Sequence, residues 1–149
     1  MHIKQKGIIN PTLKKELQKY VYDIIGVIQN VHNELPQGMP EYVYQEALAI
    51  AFEEAGIKAE KEYCHHPLFR GHTMNSFLKM DLMIPRERGN IIIECKAIEQ
   101  IAEKEYQQLF SYMHGTTFPI GIIVNFHSYP KATIYRFYFD RSDNTITAF

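Results

Sequence analysis

The polar and apolar positions of this chain change period several times, and each change marks an element. From about Thr12 to Leu35 the apolar residues Leu13, Leu17, Tyr20, Val21, Ile24, Ile25, Ile28, Val31 and Leu35 recur at helical spacing and predict one long amphipathic helix. Pro11 at its start and Pro36 just past its end punctuate it. After the break Pro36-Gln37-Gly38, a second helix is expected from about Pro40 to Ala55, closed by Gly56. Residues Ile57 to Ile84 predict two or three strands, with a turn at Gly71 and the last strand over about Phe77 to Ile84. The charged stretch from Pro85 to Asn90 is a turn, and it leads into the apolar run Ile91-Ile92-Ile93. A third helix follows over about Ala102 to His114, with Tyr106, Leu109, Phe110 and Met113 as its inner stripe. Strands over Pro119 to Phe126 and Ala132 to Tyr138, and a short one within Thr145 to Phe149, end the pattern. Helix, helix, strands, helix, strands is the order of an α/β or α+β sandwich with a mixed sheet.

One strand breaks its own pattern. Ile91-Ile92-Ile93 runs straight into Glu94-Cys95-Lys96. Alternation puts Glu94 and Lys96 on one face and Cys95 on the other, where it is expected in the core. Burying charge is costly unless it is paired or binds metal. If the strands on either side of the Pro85–Asn90 turn form a symmetric hairpin, Ile84 lies opposite Ile91. Asp81 then lies opposite Glu94, and Lys79 opposite Lys96. Like charges across a ladder destabilise it, so two carboxylates there call for a cation, a shared proton or splayed side chains. A hard divalent ion such as Mg²⁺ is the simplest answer, because it prefers one or two carboxylates plus water and phosphate oxygens. The bland alternative is a salt-bridged surface face, Asp81 with Lys96 and Glu94 with Lys79. A further acid, Glu41, opens the inner stripe Tyr44, Leu48, Phe52 of the second helix. It is either a carboxylate placed favourably at a helix N-terminus or a third acid turned toward the Asp81 and Glu94 site.

Composition changes this picture little. A chain of 149 residues, 46% hydrophobic and 22% charged, suits a single domain over 1–149 with a real core. The net charge of −1 gives no global support for nucleic-acid binding. Lys4, Lys6, Lys14, Lys15 and Lys19 crowd the N-terminal region, where a solvated helix face accounts for them more simply than phosphate contact does. No run is long enough to span a membrane, no signal-peptide pattern opens the chain, and only Cys64 and Cys95 occur, so a reduced, cytoplasmic setting is expected. His65, His66 and His72 match no zinc-ligand spacing. Neither a phosphate-binding glycine loop nor a nucleophile elbow is present.

Three patterns nevertheless converge. Gly38-Met39-Pro40-Glu41-Tyr42-Val43-Tyr44 reads G-x-x-E-x-x-Y, flanked by Val31-His32-Asn33-Glu34-Leu35 and Gln45-Glu46-Ala47-Leu48. Asp81 and Glu94-Cys95-Lys96 follow in order. Gln108 and Tyr112 then form Q-x-x-x-Y on one face of the third helix. Over roughly Ile24 to Phe126 the chain resembles the bacterial GxxExxY family of the PD-(D/E)XK nuclease superfamily. It departs from the signature at Met80, which stands where the superfamily's variable Pro would be.

The resemblance implies a restriction-endonuclease-like core, a mixed central sheet flanked by helices. It implies Asp81, Glu94, the backbone carbonyl of Cys95 and Glu41 as ligands of Mg or Mn. Lys96 would orient or activate the attacking water, and Gln108 and Tyr112 would position substrate or water. The implied activity is metal-dependent hydrolysis of phosphodiester bonds, in DNA in preference to RNA. The alternative is a non-catalytic nucleic-acid-binding or regulatory protein that keeps the fold. A homodimer is compatible with so small a nuclease, since two sites can cut two strands.

Overall fold

The computed structural model describes residues 9–149, so Lys4 and Lys6 lie outside the described residues. Its elements run α1 (Pro11–Glu34), α2 (Glu41–Glu54), β1 (Glu60–His65), β2 (Leu68–Phe69), β3 (His72–Thr73), β4 (Leu78–Ile84), β5 (Ile91–Lys96), α3 (Glu103–Thr116), β6 (Ile120–Asn125), β7 (Thr133–Asp140) and β8 (Thr145–Ala148). Each expected helix is found, with ends moved by one or two residues. Asn10 caps α1 by accepting the amides of Thr12 and Leu13, a role that Pro11 at the first helical position leaves open. Lys14, Lys15 and Lys19 lie on the solvated face of that helix.

Six strands form one sheet in the order β1-β4-β5-β6-β7-β8. Only the central pair, β5 with β6, is parallel, because α3 returns the chain to the starting edge between them. Two cores sandwich this sheet. Leu17, Val21, Ile24, Ile28 and Val31 of α1, with Tyr44, Leu48 and Phe52 of α2, pack on Ile91, Ile93 and Cys95 of β5 and Ile122 and Val124 of β6. On the other face Leu109, Phe110 and Met113 of α3 pack on Ile92, Ile123 and Met80. The result is helices on both faces of a mixed sheet, consistent with a restriction-endonuclease-like fold.

Close packing against α3 depends on Gly121. A Cβ there would stand 2.6 Å from Met113 Sδ and 2.9 Å from Leu109 Cδ1. Gly121→Ala is therefore expected to lower stability by about 1–3 kcal/mol through overpacking. It should also displace the helix that carries Gln108 and Tyr112. Chemical denaturation of the variant checks this, and an unchanged midpoint would show that α3 can shift at no cost.

Candidate functional site

The hairpin register is the one the turn implies: Ile84 pairs with Ile91, Met83 with Ile92 and Leu82 with Ile93. The ladder stops there. Beyond it, side chains replace backbone pairing. Asp81 donates its amide to Glu94 Oε1 at 3.1 Å, and Cys95 donates its amide to Asp81 Oδ2 at 2.8 Å. Each acid thus captures the main chain of the opposite strand, and the two carboxylates are fixed against each other. The expected cross-strand pair of Lys79 with Lys96 does not form. Lys79 instead pairs with Cys64 of β1 and lies 3.9 Å from Glu62. The salt-bridged alternative does not form either, because Lys96 turns to α3, where its Nζ donates to Gln108 Oε1 at 3.2 Å.

A break in β4 aims Asp81. Alternation would put Met80 and Leu82 on one face, yet Met80 joins the α3 core and Leu82 the α1/α2 core. The register of β1 with β4 skips one position, the one that would place Glu62 opposite Asp81. Glu62 has φ of +54°, a left-handed conformation that costs a non-glycine residue energy. Such local disruptions re-aim side chains in a sheet. Here the pleat reverses at Asp81, and its carboxylate reaches Cys95 of β5.

Glu94 is only 4% exposed. Burial, and next the negative charge of Asp81, push its carboxyl up from an ordinary 4.5 to about 9. The protonated group then hydrogen-bonds to Asp81, and Lys96 opposes the shift only weakly. Glu94 therefore keeps its proton at neutral pH. Burial also raises the Tyr112 phenol, followed by Glu94 and then Asp81, so Tyr112 stays neutral beside the acids. Cys95 is fully buried and its thiol is pushed up by desolvation first, then by the site's carboxylates. That suits a core residue and leaves its peptide, not its sulfur, as the part near the site.

Glu41 stands in the first turn of α2 and accepts the amide of Ala97 at 3.4 Å. It thus reaches the residue just past Glu94-Cys95-Lys96. Among the described residues no three His, Cys, Asp or Glu side chains gather closely enough to hold a metal ion by themselves. The donor chemistry still fits a hard divalent cation. Two carboxylates are oxygen donors of the kind Mg²⁺ takes while keeping several waters. A buried Glu94 carboxyl set against the half-buried Asp81 is also a setting that a bound cation would relieve.

Two positioning residues were not singled out from the sequence. Gln45 donates its side-chain amide to the Asp81 carbonyl at 3.1 Å. It lies one turn beyond Glu41, and that i to i+4 spacing was the available signal. Asn125 is buried and clamps Ile98, accepting its amide at 3.2 Å and donating to its carbonyl at 2.7 Å. This fixes the chain leaving Lys96. A polar residue closing the apolar run Ile120 to Val124 was the clue. His65, His66 and His72 assemble no ligand set among the described residues.

No curated protein matches the chain. A solved structure described as "Crystal structure of SSO0001" is similar at 17% identity and a TM-score of 0.46, over 91% of this chain and 69% of that one. The sequence matches the PD-(D/E)XK nuclease superfamily over residues 18–137, a span that includes Glu41, Asp81, Glu94, Lys96, Gln108 and Tyr112. By that match the chain belongs to the PD-(D/E)XK nuclease superfamily.

Proposed function

We propose that this protein is a Mg²⁺- or Mn²⁺-dependent nuclease that hydrolyses phosphodiester bonds of DNA in preference to RNA. The observation that carries the reading is the interlocked pair Asp81 and Glu94, with Lys96 held by Gln108 at its side. Asp81, Glu94 and the Cys95 carbonyl would hold the cation, with Glu41 acting from α2 through water. A divalent ion supplies an ionisable bound water and relieves charge on the phosphate.

The chain's own residues do the positioning. Crossed hydrogen bonds from backbone amides fix the two carboxylates, so neither needs to reorganise when substrate arrives. Gln108 holds Lys96 Nζ by one hydrogen bond, and its remaining protons are free to meet a phosphate oxygen or the attacking water. Tyr112, one helical turn beyond Gln108 and kept as a neutral phenol, can donate to the same region. The G-x-x-E-x-x-Y string supports the finer GxxExxY assignment through distinct roles. Gly38 supplies a φ of +82° before α2, Glu41 faces the site, and Tyr44 anchors the helix.

The test is cleavage of labelled single-stranded DNA, duplex DNA and RNA with Mn²⁺ or Mg²⁺. Wild type is expected to cut DNA, and Lys96→Ala to cut it about 10²-fold more slowly or worse while still binding Mn²⁺ in calorimetry. Absence of cleavage of all three polymers by wild type with either ion would sink the reading.

A further inference from the structure

Segment 65–79 lies at the end of β1 and β4, on the same side as the Lys96 end of β5. It contains His65, His66, Arg70, His72 and Lys79 but no Asp or Glu, in a chain that has 17 acids. Within it β2 and β3 form a separate two-stranded hairpin. Arg70 and Gly71, at φ of +51° and +79°, make the tight two-residue turn. Met74 donates its amide to the Pro67 carbonyl, and a His66 ring nitrogen pairs with the Met74 carbonyl, so the hairpin base is closed.

This projection exposes what proteins usually bury. Leu68 is 68% exposed, Phe69 57% and Phe77 53%. The Arg70 guanidinium lies over the Phe69 ring at 5.0 Å and makes no ion pair with an acid among the described residues. The Phe77 ring meets His66 at 5.6 Å. Exposed rings beside the Arg70 guanidinium, on a segment with no carboxylate of its own, match the requirements of a single-stranded nucleic acid: faces for bases and positive charge for phosphate. Its place fits as well. Leu78, which follows Phe77, packs toward Gly115 of α3, the helix that carries Gln108 and Tyr112. Four residue steps separate Phe77 from Asp81, about 13 Å of extended chain, or about four stacked nucleotides.

We propose that the β2–β3 hairpin with Phe77 is a stacking platform for a single strand of the nucleic-acid substrate, with bases on Phe69 and Phe77 and phosphate on Arg70. The platform deepens the nuclease reading by naming its substrate as an unpaired strand or frayed end. It can also be tested apart from that reading.

The experiment measures fluorescence anisotropy of a labelled 20-nucleotide single strand, and of the matching duplex, in EDTA. Wild type is compared with Phe69→Ser and Arg70→Asn; both sites are exposed, and Asn tolerates the left-handed turn. Each variant is expected to weaken single-strand binding about fivefold or more, the low end of what one lost stack costs, with a smaller loss on duplex. Unchanged affinity, no binding by wild type, or equal losses on single strand and duplex would each overturn the platform. No divalent ion is available in EDTA, so the result is independent of Asp81 and Glu94. Hairpin-dependent binding without cleavage in Mn²⁺ would sink the nuclease reading alone. Cleavage with hairpin-independent binding would sink the platform alone.

Discussion

Glu94→Gln is expected to end Mn²⁺ binding and cleavage while raising the thermal midpoint of the metal-free protein at pH 7 to 8. The two effects share one cause. Glu94 is buried against Asp81, and its carboxyl is pushed up to about 9 by desolvation and by that neighbouring charge. Between about pH 4.5 and 9 the folded protein holds this proton and the unfolded chain has released it. Stability then falls as pH rises, by up to about 1.4 kcal/mol per pH unit for one proton. The contribution is fully present below 4.5 and is lost by the upper end of that window. Glutamine keeps the acceptor for the Asp81 amide and can donate to the Asp81 carboxylate, with no charge to bury. The variant should therefore show a flatter dependence of stability on pH than wild type. The same change removes one of the two carboxylates proposed to hold the ion, and cleavage should fall by about 10³-fold or more, as in sites that lose a principal electrostatic group. Thermal melts in EDTA from pH 5 to 9, with calorimetric Mn²⁺ titration, check both halves. A variant that melts lower than wild type at every pH would show that the buried acid stabilises the fold. One that binds Mn²⁺ as wild type does would place the ion elsewhere.

The second large effect is structural. Tyr44→Ala is expected to cost about 3–5 kcal/mol, the range for deleting a large buried aromatic. Tyr44 stacks on Phe126 with ring centroids 4.3 Å apart and planes 5° from parallel, and its hydroxyl donates to the Pro36 carbonyl at 3.1 Å. It joins α2 to the end of β6 and to the turn that precedes the helix. Glu41 and Gln45 sit one residue or one turn from it, so their aim depends on this anchor. Tyr44→Phe keeps the stack and loses the hydrogen bond, at about 1 kcal/mol. Urea denaturation of the three proteins separates the contributions. A loss below about 1 kcal/mol for the alanine variant would mean that α2 is held by Leu48 and Phe52 alone.

Much of this molecule follows from local pattern. Three helices announced themselves by period and by their Pro and Gly punctuation, since an amphipathic stripe and its caps are short-range properties. The six-residue turn from Pro85 to Asn90 fixed the register of Ile84 with Ile91, and that register brought Asp81 to Glu94. Two acids and a lysine on an apolar hairpin are anomalous in any fold, which is why the candidate site could be proposed without one.

The tertiary structure decided the rest. Met80, Leu82, Met83 and Ile84 are all apolar and all buried, so alternation carried no information about which face each takes. The reversal of β4 at Asp81 became visible only against Glu62 across the sheet. The Gln45 bond to Asp81 and the Asn125 clamp on Ile98 join residues 36 and 27 positions apart, beyond the reach of any periodicity. The exposure of Phe69 and Phe77 is likewise a tertiary property, because an aromatic in a strand pattern is expected in the core until the sheet leaves its hairpin outside. Sequence specified the chemical groups and their local spacing; the packing of two helical layers on one sheet decided which of them meet.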